Sequence, residues 1–139
     1  MRDIKFRGKK INSGEWIYGA PVFEGDKAWI VKRIGDNFSA DEVHPETVGQ
    51  YIGLDNIKDQ KIFKDDLCQL RNTIYQIVWD AKYTKFGAKV IKCDHVLPRG
   101  CTFLINDYVD METSNLMLEV IGNIHDNPEL LQPQGGNKQ

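Results

Sequence analysis

Apolar and polar positions alternate in short runs along most of the chain, and turn residues interrupt the runs every few positions. Ile4-Lys5-Phe6-Arg7 alternates apolar with basic, the period-two pattern of a half-buried strand. Asn12-Ser13-Gly14 predicts a turn, and Glu15-Trp16-Ile17-Tyr18-Gly19 returns as a second strand. Gly25-Asp26 marks a further turn between Val22-Phe23 and Ala28-Trp29-Ile30-Val31, so three short strands fill the first third. Gly35 to Glu42 is polar and reads as a loop, and His44-Pro45-Glu46-Thr47 allows one helical turn at most.

The stretch from Thr47 to Leu67 predicts a strand over Val48 to Ile52, a polar turn over Asp55 to Lys61, and entry into another strand near Leu67. Asp66 to Leu70 and Ile74 to Trp79 form a hairpin pattern across Arg71-Asn72-Thr73. Phe86 to Cys93 is the next strand, with Gly87 predicting a bulge or a close approach. Pro98-Arg99-Gly100 turns the chain into Thr102 to Ile105, and Asp107 to Asn115 reads as a loop or a short helix. Leu116 to Ile124 is a closing strand that Asn127-Pro128 stops. Many short strands at close spacing predict a mainly β protein, and specifically a barrel. Trp16, Tyr51, Phe63 and Trp79 sit in strand patterns beside aliphatic neighbours and are the expected aromatic core.

At 139 residues the expectation is a single domain over 1–131, with an N-terminal β region (1–45), a barrel-like region (46–131) and a disordered tail over 132–139. A chain of this length buries about two-thirds of its unfolded surface, enough to fold without metal or disulfide staples. The net charge of −2 supplies no global attraction to nucleic acid or anionic lipid. The charge is nevertheless uneven. Arg2, Lys5, Arg7, Lys9 and Lys10 against Asp3 make the first ten residues +4, which leaves −6 for the remainder. Three cysteines, Cys68, Cys93 and Cys101, suit a reducing compartment, and no apolar run approaches a bilayer span. The expected setting is the bacterial cytoplasm, away from the membrane.

Three groups of segments together resemble the YopX-like family of small phage and prophage proteins. They are Ile4-Lys5-Phe6-Arg7-Gly8 with Gly14-Glu15-Trp16-Ile17-Tyr18-Gly19; Glu46 to Leu54 with Lys61-Ile62-Phe63; and Val120 to Leu131. The resemblance implies an SH3-like barrel in the C-terminal two-thirds and a phage or prophage origin, and it carries over no catalytic residue. This chain departs from the family pattern at Lys64-Asp65-Asp66, where Glu-Gly-Asp is usual. Asp65 then occupies a glycine turn position, which Asp tolerates better than most residues do.

Candidate chemistry is sparse. Cys68, Cys93, His95 and Cys101 lack the short-spaced ligand pairs of a structural zinc site, so a metal is not expected. Asp65, Asp66, Asp107, Asp110 and Glu112 lack the glycine and terminal glutamate of a calcium loop and read as solvated acids. His44, His95 and His125 stand in no nucleophile–base pattern. Basic residues interleaved with aromatics are the best candidates: Lys5, Arg7, Lys9 and Lys10 near Phe6 and Trp16, and Lys82, Lys85, Lys89 and Lys92 near Tyr83 and Phe86. In the first strand Ile4 and Phe6 are expected to point inward, with Lys5 and Arg7 outward. The expectation is therefore a non-enzymatic interaction module without a cofactor, binding a host or phage macromolecule or a second copy of itself. The alternatives are a weak, sequence-independent nucleic-acid binder using Lys5, Arg7, Lys9 and Lys10, and then a metal-dependent enzyme.

Overall fold

A computed structural model describes residues 5–93, 100–110 and 115–131. Several expectations lie outside them: the Ile4 end of the first strand, His95, Pro98-Arg99, Glu112, the Asp107 side chain and the tail over 132–139. Among the described residues the architecture is mainly β, with two antiparallel sheets and three single turns of 3-10 helix. The chain divides into two compact units, Met1–Gly53 and Leu54–Gln139.

The first unit is built from β1 (Phe6–Lys9), β2 (Trp16–Glu24), β3 (Lys27–Ile34), β4 (Asn37–Val43) and most of β5 (Gly49–Asp55). Their order across the sheet is β4-β3-β2-β1-β5. Cross-strand partners share a face, so the register sorts the side chains. Phe6 opposes Gly19 and Gly8 opposes Ile17, while Ala28 opposes both Phe23 and Val43. That face carries the core: Ala28, Ile30 and Val43 are fully buried, with Phe6, Ile17 and Val48 packed against them. Burying a side chain such as Ile30 contributes about 1.5–3 kcal/mol. Gly8 is required here because a Cβ would come within 2.9 Å of the Val43 side chain.

The polar run after Gly35 was expected to be a loop but forms β4, paired with β3 from Ala28↔Val43 to Ile34↔Asn37. Edge strands are held by backbone pairing on one side only, and they tolerate the polar composition that disguised this one. Pro45–Thr47 supplies the expected single helical turn, with the Thr47 hydroxyl donating to the His44 carbonyl at 2.6 Å.

The second unit holds β6 (Lys61–Phe63), β7 (Asp66–Leu70), β8 (Thr73–Asp80), β9 (Lys85–Lys92), β10 (Thr102–Leu104) and β11 (Glu119–Asn123). Its five-stranded sheet runs β10-β9-β8-β7-β11. Among the described residues this sheet is open, with β10 and β11 at its two ends, and it does not close into the barrel that the sequence implied. Leu67, Ile77, Ala88, Leu116 and Leu118 are fully buried in this unit. Gly87 marks a close approach, since a Cβ there would lie 2.7 Å from the Thr102 methyl; the β8–β9 bulge falls instead between Ile74 and Tyr75.

Two of the four expected core aromatics are buried, Tyr51 and Phe63. Trp16 is only half-buried, because alternation in β2 puts Ile17 on the core and turns Trp16 to the opposite face. Trp79 is 47% exposed. It shares the buried face of β8 with Tyr75 and Ile77, but the register of β7 ends at Gln76 and that of β10 at Gly87. The end of the β8–β9 ribbon therefore outruns its neighbours, and Trp79 packs edge-on against Phe86 at 5.1 Å.

Candidate functional site

The first sheet has a second face, and the registers Arg7↔Tyr18, Lys9↔Trp16, Val22↔Trp29 and Arg33↔Phe38 assign its residues. This outer face is aromatic and cationic. The Arg7 guanidinium carbon lies 4.4 Å from the Trp16 ring centroid, and Lys9 Nζ lies 5.7 Å from it. Such geometry is a cation–π contact, which holds the charge against the ring and lets the ring shed water. It also explains a departure from expectation. Arg7 takes the outward face as anticipated, yet it is only 7% exposed, with its guanidinium carbon over the Trp16 ring.

Lys5 is half-buried, and its carbonyl accepts the Tyr51 N–H at 2.7 Å. By alternation it shares the face of Arg7 and Lys9. Lys10 does not: it sits at the hairpin turn in an isolated bridge to Val43, its N–H donating to the Glu15 carbonyl at 2.9 Å. The four sequence-nominated cations are thus three on one face and one at the turn.

Further across that face the surface opens. Tyr18 is 43% exposed, Val22 46% and Phe38 71%, with Trp29 half-buried between them. Arg33 is exposed opposite Phe38 and donates its Nε–H to the Gly35 carbonyl at 3.0 Å. Sequence reasoning missed Trp29, Arg33 and Phe38. The available signal was the alternation of Phe38, Ala40 and Glu42, which places Phe38 beside Arg33 once β4 is read as a strand.

The second basic cluster is not gathered in the same way. Lys82 Nζ lies 5.4 Å from the Tyr83 ring at the β8–β9 turn. Lys85 pairs with Asp80 and Lys89 with Gln76, so both stand on the face of β9 opposite Phe86. Lys82 and Tyr83 meet at the turn, but the strand lysines Lys85 and Lys89 are separated from Phe86.

The polar motif residues of the second unit build turns. Asn56 is fully buried; its Oδ1 accepts the N–H groups of Lys58 and Gln60 at 2.9 Å, and its Nδ2 donates to Gln60 Oε1 at 2.7 Å. Asn123 repeats the device, with Oδ1 accepting from the His125 and Asp126 N–H groups at 3.0 and 2.9 Å. Asp65 adopts φ 74 in the turn between β6 and β7, the left-handed geometry that its glycine-like position implied. Its Oδ1 accepts from Gln76 Nε2 at 3.2 Å, while Oδ2 faces Lys64 Nζ at 3.2 Å and His125 Nε2 at 3.5 Å. Asp66 Oδ2 accepts the Phe63 N–H at 2.8 Å across the same turn. Among the described residues no group of three or more His, Cys, Asp or Glu side chains is placed to hold a metal ion. Cys68 is buried in β7 opposite Tyr75, and Cys93 and Cys101 are half-buried.

These features define a two-sheet, mainly β protein that ties turns with buried asparagines and gathers rings and cations on the outer face of its first sheet. The chain belongs to the YopX family: the family model described as "YopX protein" matches residues 5–132. Among solved structures it is similar to the protein EF1440 from Enterococcus faecalis, with a TM-score of 0.52 at 19% identity over 95% of this chain and 100% of that one. At that identity the likeness speaks for the fold alone. No curated protein matches the chain.

Proposed function

We propose that this is a non-enzymatic interaction module, encoded by a phage or prophage, that engages a host or phage macromolecule through the outer face of its first sheet. The observation that carries the reading is the run of exposed Tyr18, Val22 and Phe38 beside half-buried Trp16 and Trp29 on one face. Scattered apolar residues on a surface are ordinary, whereas several rings gathered on one face mark an interaction site. Binding through rings and permanently charged guanidinium groups requires no titrating group and no bond-making step, which is the sense in which the module is non-enzymatic. The YopX family resemblance supports the phage or prophage origin.

Site-specific photocrosslinking in a bacterial host tests it. A photoreactive phenylalanine analogue at Phe38 is expected to give a discrete adduct, and the same analogue at Lys85, in the second unit, is expected to give none. Absence of an adduct from Phe38, or equal adducts from both positions, would overturn the assignment of the face.

A further inference from the structure

Resting on that reading of the sheet face, we infer that its occupant is single-stranded nucleic acid, bound without sequence preference. Two kinds of group meet on the face, and each matches one part of such a strand. Trp16, Tyr18, Trp29 and Phe38 offer ring surfaces on three neighbouring strands, about 4.8 Å apart in the hydrogen-bonding direction. Every base has a π-face, so stacking on such rings is indifferent to sequence. Lys9 and Arg33 flank these rings as register partners of Trp16 and Phe38, where they can meet phosphates. The Arg7 guanidinium already lies over the Trp16 ring at 4.4 Å, with Lys9 Nζ at 5.7 Å, so charge and ring are already side by side on this face.

The charge on the face sets the strength. Lys5, Arg7, Lys9, Lys27 and Arg33 share it with Glu24 and Glu42, and Glu24 stands directly opposite Lys27. Two or three phosphates are then the most it can neutralise. For a single strand this gives a salt slope of about −1.4 to −2.1, hence roughly a ten-fold loss of affinity between 50 and 200 mM salt. A duplex hides its base faces and offers only phosphates to so few cations, so it is expected to bind more weakly than a single strand. A protein partner would use the rings as apolar anchors and would not need the cations between them.

The test is fluorescence anisotropy with the purified full chain. The probes are labelled 16-nucleotide thymidine and uridine strands, a duplex of the same length, and the single strands again at 50 and 200 mM salt. Micromolar binding of both single strands, weakened about ten-fold by the higher salt, is expected. Phe38→Ala and Arg33→Glu should each weaken it about ten-fold or more while leaving the melting temperature within a few degrees of the parent's, since Phe38 is 71% exposed and Arg33 is exposed beside it. Lys85→Glu, in the other unit, should bind as the parent does. Failure of the parent chain to bind either strand, or face variants that bind as tightly as the parent, would overturn the inference. If the photocrosslinked adduct at Phe38 is nevertheless present and resists nuclease, the face stands as an interface and its occupant is a protein. If that adduct is absent, the interface itself falls.

Discussion

Asp65 offers the sharpest test of how this sequence holds its fold, because two opposing effects meet at one residue. The backbone at φ 74 disfavours any side chain, and replacing Asp by Gly relieves about 1 kcal/mol of that cost. The side chain is only 9% exposed and works in the other direction. Its hydrogen bond from Gln76 Nε2, long at 3.2 Å but largely shielded from water, is worth about 1.5 kcal/mol. The Lys64 side chain is 38% exposed, so its ion pair adds only about 0.5 kcal/mol, and the longer approach of His125 Nε2 at 3.5 Å adds no more. Asp65→Gly should therefore destabilise by about 1 kcal/mol, a gain in backbone freedom outweighed by about 2 kcal/mol of lost contacts. Asp65→Ala loses the same contacts and keeps the backbone cost, so about 2 kcal/mol is expected. The backbone bonds at this residue, to the Ile77 carbonyl at 2.7 Å and from the Ile124 N–H at 3.1 Å, survive both changes.

Urea unfolding of the three proteins at neutral pH, followed by circular dichroism and tryptophan fluorescence, measures the series. The order parent, Gly, Ala is the expected result. If Asp65→Gly equals or exceeds the parent, the buried carboxylate contributes nothing net and the contact argument fails. If Gly and Ala are equally stable, residue 65 is not in the left-handed region.

Phe63→Ala empties a buried site that is 3% exposed, and a loss of about 3–5 kcal/mol in urea unfolding is expected; a variant as stable as the parent would place Phe63 on the surface. Trp79→Ala should cost only about 1 kcal/mol, because half the ring is already in water and its edge-on contact with Phe86 is the main loss. Gly122→Ala would drive a Cβ into the Asn127 side chain, whose Oδ1 accepts the Asn123 N–H at 3.2 Å, and a drop in stability of about 1–3 kcal/mol by thermal unfolding is expected. A strong chelator should leave the melting temperature unchanged, since no short-spaced ligand pair links folding to metal; a stoichiometric metal on elemental analysis would contradict this.

Much of the strand framework was legible because its signals are local. Asn12-Ser13-Gly14, Gly25-Asp26 and Arg71-Asn72 do end and reverse strands, and Pro45 does open a single helical turn. What failed needed partners distant in sequence. The polar edge strand β4 exists because β3 offers it a ladder, and nothing between Asn37 and Val43 announces that ladder alone. Trp79 has a buried-strand pattern and the right face, yet its exposure depends on where β7 and β10 stop. The burial of Arg7 likewise depends on the Lys9↔Trp16 register, which brings an indole against a guanidinium that alternation alone would send to water. Openness of the second sheet is a matter of which strands reach each other, and strand spacing does not encode it.

The motifs that carry the family resemblance divide by role, and this bears on where function should be sought. In the second and third motifs the buried polar residues Thr47 and Asn123 are occupied by the fold itself. Gly122 leaves room for Asn127, Asn123 ties up the turn that follows it, and the turn at Asp65 links β6 to β7. Side chains engaged in turn geometry are poor candidates for contacting a partner, since moving them to meet a ligand would break the turn. The first motif behaves differently. Alternation splits it in two: Phe6, Gly8, Ile17 and Gly19 go to the core face, while Arg7, Trp16 and Tyr18 go to the outer one. A strand needs its inward half to fold, whereas the outward half is open to many polar residues. Two aromatic rings and an arginine on that outward half are more than solubility requires, and a ring left partly exposed forgoes part of its burial energy. That unspent apolar surface, continued across β3 and β4 by Trp29 and Phe38, is the physical reason to look for this protein's partner on the first sheet.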